Sequence, residues 1–471
     1  MDSASVLEIF KEITRIPRES GHEGPIIAYL QQWAANHKLP CKTDPTGNIL
    51  ISRPASKGKE KVPAIVLQAH QDMVCEKNAG VTHDFAKDPI PYVIEDGWMI
   101  AKDTTLGADD GIGIAACLAL LESDLPTGPL ECLFTISEET GMDGAEALQS
   151  GFFEGKTLIN LDSEDEGQLF IGCAGGLNTR IRFRLRREAV NEGWKPLRIT
   201  ISGGVGGHSG DDINKDRANM VQQLSRFLCS ELPHGLQLLD MLGGGKSNAI
   251  AREAHAVIAV PDPAATKKRL ADFGKALAEE FHVTEPSLKC VAESCQSPLK
   301  AIRGAARILQ ALFACPHGPL AMSQDIPGLV ETSTNLASVK IEGSTLVVVT
   351  SQRSPMQSER RMAAAKVAAC FTLAGGKVEH SLEYPGWTPN VHSPILKQCV
   401  EAYRTLFDAE PEVKAIHAGL ECGLFLTKFP DLDMISFGPT LRGVHAPGEK
   451  LELASLDKFV KLLNHVVCHF K

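Results

Sequence analysis

The sequence predicts an α/β fold: a mixed sheet with helices on both faces, interrupted by an inserted α+β domain. Three observations lead there. Short β-branched apolar runs alternate with helical periodicity in the first part of the chain, the pattern changes character near Arg180, and the helix–strand style returns after residue 390. The expected organisation is one domain from 1–184 and 391–471, with a second domain, 185–390, inserted into it.

The elements follow in order. Residues 3–14 and 23–37 read as amphipathic helices, punctuated by Pro17 and Gly21. VPAIVLQAH then has the length and β-branched content of a buried strand. After Gly107, GIGIAACLALLES turns helical, Gly128-Pro129 ends the following turn, and LECLFTIS and LINLD supply two further buried strands. In the inserted region HAVIAV and TLVVVTS read as strands, ATKKRLADFGKALAEEF and SERRMAAAKVAACFTLA as helices. Two passes of similar order, 197–290 and 297–384, are expected there, although no residue-level repeat accompanies them. After PGWTPN the first style resumes, with DMISFGP as a strand.

Composition narrows the function classes. The chain of 471 residues is 43% hydrophobic and 23% charged, an ordinary globular balance. A net charge of −10 without a Lys/Arg stripe argues against nucleic acid or an anionic membrane as partner. No apolar run reaches the ~18–20 residues of a membrane span. The N-terminal stretch lacks the basic-then-apolar order of a signal peptide. Thirteen scattered cysteines without a CxxC pair fit neither a structural zinc site nor a disulfide framework, so the expected setting is the reducing cytoplasm.

Four acidic or histidine motifs stand where buried strands end, the edge at which open α/β sheets bind ligands, and a further histidine lies in a loop after a later strand. In LQAHQDMV, His70 and Asp72 are two apart and project to one side of a strand end; a surface or capping pair would look the same. In TTLGADDGIG, Asp109 or Asp110 could equally be a helix N-cap. FTISEETG sets Glu138 beside Glu139, either a solvated turn or one metal ligand next to one free base. LINLDSED ends on Asp162, and FGPTLRGVHAPGEKLEL carries His445 in a loop where a solvated histidine is the ordinary case. Jointly, His70, Asp109, Glu139, Asp162 and His445 supply two nitrogens and three carboxylates. That mixture suits zinc, and one bridging carboxylate with two further ligands per ion makes a paired site.

In this order, H-x-D, G-A-D-D-G, S-E-E-x-G-M-D-G, N-L-D-S-E and a late H-x-P resemble the co-catalytic di-zinc peptidases that include carboxypeptidases, aminoacylases and dipeptidases. ADDGIGIA, HAGLECGLF and GPTLRGVHAPGEKLEL are similar to the aminoacyl-histidine (Xaa-His, carnosinase-like) dipeptidases, over essentially the whole chain. The resemblance implies a zinc-peptidase catalytic domain with an inserted lid or dimerisation domain. It implies Asp109 as the bridging ligand, His70 and Asp162 on one Zn²⁺, and Glu139 and His445 on the other, with Co²⁺ or Mn²⁺ as possible replacements. Asp72 matches the carboxylate that orients His70, and Glu138 the general base that serves a zinc-activated water. His208 in SGGVGGHSG matches the lid histidine that stabilises the oxyanion. Asn248, Arg353 and Gly419 match substrate-binding positions. One departure is Asp110, where similar enzymes often have Asn; in the family the peptide bond before it is often cis.

The activity so implied is hydrolysis of small dipeptides, Xaa-His dipeptides preferred. An N-acyl-amino-acid deacylase and a non-catalytic zinc-binding protein are the rival expectations. Simpler relatives take the lid histidine from a neighbouring subunit. A homodimer is favoured here, while the longer insertion allows that histidine to come from the same chain.

Overall fold

The computed structural model describes residues 1–381 and 383–471. The chain forms two compact units: Met1–Gly172, Trp387–Ala415 and Leu420–Lys471 make the first, Cys173–Gly386 and Ile416–Gly419 the second. The chain thus crosses into the second unit earlier than at 184/185 and leaves it earlier than at 390/391. The reason is strand Gly175–Arg184, which pairs along its length with Thr345–Ser354 and so belongs with the later strands.

An eight-stranded sheet, in the order Cys41–Thr43, Ile49–Arg53, Leu130–Thr135, Ile65–His70, Thr157–Asn160, Asp433–Ser436, Gln168–Cys173, Glu412–Ile416, centres the first unit. Its four middle strands run parallel, so their carboxyl ends share one edge. Ile65–His70 and Leu130–Thr135 are buried throughout, as continuous apolar runs in a parallel sheet should be. Helix Ala108–Glu122 is buried from Ala108 to Leu121, which explains why it is apolar all round. A small sheet, Leu441–Arg442, Lys450–Glu452, Trp98–Ala101, Tyr92–Glu95, ties the loop holding His445 to the chain leading towards Asp109.

The second unit is a nine-stranded antiparallel sheet with helices Met220–Glu231, Pro263–Glu280, Ala305–Ala314 and Gln357–Leu373, sharing one core. Its strand order is Lys289–Ser294, Lys195–Ser202, Ala254–Val260, Gln237–Gly244, then Val330–Glu342, Thr345–Ser354, Gly175–Arg184, Lys377–His380, with Gly318–Met322 beside Val330–Glu342. The order is a palindrome. Each half reads strand, helix, two strands, helix, edge strand, and the halves join where Leu242–Gly244 pair antiparallel with Ser338–Lys340. Two passes therefore exist, but not as 197–290 followed by 297–384. The first pass is inserted whole between the second pass's opening strand, Gly175–Arg184, and its helix Ala305–Ala314.

Candidate active site

The carboxyl edge of the parallel strands gathers all five candidate ligands. His70 ends its strand, Asp162 lies two residues beyond Asn160, and Glu138 and Glu139 open the short helix Glu138–Gly141 after Leu130–Thr135. Asp109 is the centre: its Oδ1 lies 2.9 Å from His70 Nε2 and its Oδ2 3.1 Å from His445 Nε2. His70 Nε2 is also 3.4 Å from Asp162 Oδ1, and His445 Nε2 is 2.9 Å from Glu139 Oε1. Two overlapping groups result, His70–Asp109–Asp162 and Asp109–Glu139–His445; His70, Glu138 and Glu139 also converge.

The backbone explains why these side chains are free to meet. Asp109 and Asp110 have non-helical angles and a cis peptide bond between them. The regular helix starts after them, with Asp110 Oδ1 accepting from Gly113 N–H at 3.1 Å as a cap. That leaves Asp109 uncommitted to the helix. Asp72, wholly buried, stands 3.4 Å from His70 Nδ1. It also accepts from the backbone N–H groups of Glu138 and Glu139, at 3.0 and 3.2 Å, and from Ser20 Oγ at 2.7 Å. One carboxylate thus fixes both a histidine and the turn presenting the two glutamates.

The electrostatics are those of a crowded acidic site. Burial pushes Glu138 up to about 7, helped by Glu139 and Asp109. Burial likewise drives Asp162 and Asp110 well above the carboxylate range. Burial opposes ionisation of Asp109 as well, but hydrogen bonds from His445 and His70 hold it well below its ordinary value. Hydrogen bonds to Asp109 and Glu139 raise His445 to about 10. Packed carboxylates that resist ionisation, interleaved with imidazoles, are a donor set that fits divalent cations, whose charge reverses that resistance.

In the second unit His208 Nδ1 is 3.0 Å from Asp211 Oδ2, and its Nε2 faces an Arg353 Nη2 at 3.4 Å. Arg353 Nη1 donates to Tyr384 Oη at 3.2 Å, while its buried Nε has no partner among the described residues. Asn248, Arg353, Lys246 and Tyr384 line one cavity of about 420 Å³. Gly419 closes the segment Ile416–Gly419 that joins this unit.

Several residues here were not named among the candidates read from the sequence. His417, buried, bonds Ser333 Oγ through Nε2 at 2.7 Å, and burial lowers it to about 4. Glu421 is wholly buried, accepting from Gln68 Nε2 at 2.7 Å and Thr135 Oγ1 at 2.8 Å. Arg18 and Glu449 are buried beside the loop that presents Asp109. The available signal for three of them was their place in HAGLECGLF, which holds His417 and Glu421, and in GPTLRGVHAPGEKLEL, which holds Glu449.

Comparison with known proteins agrees with this architecture. The model of peptidase family M20/M25/M40 matches residues 66–469. A cytosol non-specific dipeptidase of Escherichia coli (strain K12) is 39% identical over 98% of this chain and 96% of its own. The crystal structure of an aminoacylhistidine dipeptidase from Vibrio alginolyticus is 38% identical, with a TM-score of 0.92 over 99% of this chain and 97% of that one. The aminopeptidase PepT from Bacillus cereus, 16% identical with a TM-score of 0.58 over 99% of this chain and 98% of its own, shares the fold. The chain belongs to peptidase family M20/M25/M40, a family of metal-dependent peptidases.

Proposed function

We propose that this protein is a cytoplasmic dipeptidase that uses two divalent ions, zinc in the first instance, and prefers Xaa-His dipeptides. The observation that carries the reading is the splayed carboxylate of Asp109, whose two oxygens face two different imidazoles, each with a further carboxylate. The names of the two relatives near 39% identity agree on dipeptides and differ on breadth. Thirteen scattered cysteines without a CxxC pair suit a reducing compartment, and no described helix is long and apolar enough to cross a membrane.

His70, Asp109 and Asp162 would hold one ion and Asp109, Glu139 and His445 the other. Bound there, the ions would supply Lewis-acid polarisation of the scissile carbonyl and acidify a water. Glu138, close to His70 and Glu139 but outside the two ligand sets proposed here and raised towards neutrality, accepts the proton of that water and returns it to the leaving amine. Asp72 keeps Nδ1 of His70 oriented and the 138–139 turn in place. Arg353 and Asn248 hold the substrate's terminal carboxylate beside Gly419, and His208, swung from Arg353, donates to the oxyanion. Within the second unit, a histidine from the first pass already meets an arginine from the second, so we assign His208 a role within its own chain, whether or not the protein dimerises.

A substrate panel tests the reading: Xaa-His dipeptides, histidine-free dipeptides and N-acetyl amino acids, each with added Zn²⁺, Co²⁺ or Mn²⁺. Turnover of free-amine dipeptides, fastest for Xaa-His, is the expected result. Faster cleavage of N-acetyl amino acids would make it a deacylase, and bound metal without turnover would remove the enzymatic reading.

A further inference from the structure

We propose that Arg18 and Glu449 are positioning residues that set the two ligand groups separately: Arg18 the His70–Asp109–Asp162 group, Glu449 the Asp109–Glu139–His445 group. The inference rests on the two-ion reading of those groups.

Arg18 is 2% exposed, yet its guanidinium pairs with no carboxylate among the described residues. Its Nη1 donates to the backbone oxygens of Gln71 at 3.1 Å and Asp72 at 2.7 Å, and its Nη2 to that of Gly107. Those carbonyls belong to the segment just after His70 and the segment just before Asp109. Burying a guanidinium costs several kcal/mol unless its donors are matched, so the carbonyls must stay where the fork needs them. The surroundings are cut to its shape: a Cβ at Gly107 or Gly111 would fall 2.5 or 2.6 Å from Nη2.

Glu449 is also 2% exposed and acts on the same loop with opposite polarity. Its Oε2 accepts from Leu106 N–H at 2.8 Å and Gly107 N–H at 3.0 Å, and its Oε1 from Ala108 N–H at 2.8 Å and Asp109 N–H at 3.4 Å. Glu449 lies four residues after His445, whose φ of 62° puts it in the left-handed region. The intervening loop is pinned by Gly448 N–H on Thr104 O at 3.0 Å. Gly107 is the meeting point, its N–H on Glu449 and its carbonyl on Arg18. From there each charge reaches a different partner loop, Arg18 the one after His70 and Glu449 the one bearing His445. That separation is why the two are assigned to different groups.

Glu449→Gln keeps the volume but turns an NH₂ towards backbone donors; Arg18→Lys keeps the charge but cannot span three carbonyls. Zn²⁺ and Co²⁺ are titrated into chelator-stripped full-length protein by calorimetry, with the Co²⁺ absorption spectrum as a coordination signature. His445→Ala and His70→Ala mark which equivalent belongs to which group, and circular dichroism verifies folding. Glu449→Gln should weaken the His445-dependent equivalent about 10–100-fold, the range for partners of metal ligands, and the other equivalent less, since both share Asp109. Arg18→Lys should do the converse; if it fails to fold, Glu449→Gln alone decides. Wild-type affinity at both equivalents, or equal loss at both, overturns the division. Wild-type protein that binds fewer than two ions, or marker variants that lose none, would instead overturn the two-ion reading and this inference with it.

Discussion

Adjacent glutamates at the end of one strand have different surroundings, and so should fail differently. Glu139 Oε1 lies against His445, whereas Glu138 is hemmed in and raised by burial to about 7. Glu138→Gln should therefore retain both metals and lose about 10²–10⁴ in kcat, while Glu139→Gln should weaken one ion. Near-normal kcat in Glu138→Gln would end its candidacy as base. Glu421 makes a second claim, about stability. Burial pushes its carboxyl up to about 8, whereas an unfolded glutamate titrates near about 4.3. The native state then holds the extra proton between those values, so stability falls as pH rises through that window and levels off above it. Glutamine copies the protonated acid, its oxygen still accepting from Gln68 and Thr135. In chelator-stripped protein, urea unfolding at pH 5.5, 7 and 8.5 should show Glu421→Gln gaining on the parent by roughly 3 kcal/mol from the lowest pH to the highest. Parallel pH profiles would mean the acid is not held protonated.

At the scale of elements, the helix Ala108–Glu122 joins folding to chemistry through its irregular start. Alanine at Gly113 would gain about 1 kcal/mol of helix propensity. Its Cβ, however, would lie 2.3 Å from Asp110 Oδ1, the capping oxygen. Gly113→Ala should be a net loss of about 1–3 kcal/mol in denaturant unfolding, and a stabilised variant would show the cap to be dispensable. Elements of this kind divide what was legible in sequence from what was not. Apolar runs such as IVLQAH and LECLFT declared buried strands because both faces of a central parallel strand are covered. The candidate ligands were readable only jointly: His70, Glu139 and Asp162 follow such runs, whereas Asp109 and His445 stand in loops. Glu138–Gly141 gave no helical signal in four residues, because what organises it is Asp72, sixty-six positions earlier. Strand Gly175–Arg184 was not read as an element, only as a change of character near Arg180, because its place depends on a partner far along the chain.

For the whole molecule, the palindromic sheet bears on the proposal that His208 serves its own chain. His208 of the first pass and Arg353 of the second lie in one chain, 3.4 Å apart. His208→Ala should lose about 10²–10³ in kcat, the usual loss for one oxyanion donor, with both metals kept. Mixing it with inactive Glu138→Gln protein should restore no activity despite verified subunit exchange. Recovery would mean the histidine crosses between chains.

The nested arrangement of the two passes also bears on how the chain is built. Gly175–Arg184 leaves the ribosome before the first pass, yet its register partner starts at Thr345, roughly 160 residues and, at ~5–20 residues per second, many seconds later. Meanwhile residues 195–294 can complete their own sheet from neighbours close in sequence, whose closure is entropically cheaper. The waiting strand then pairs with Thr345–Ser354 once that strand lies beside Val330–Glu342, the strand that joins the completed first pass. Nascent chains arrested before Thr345 should show protease-resistant 195–294 and a cleavable 175–184.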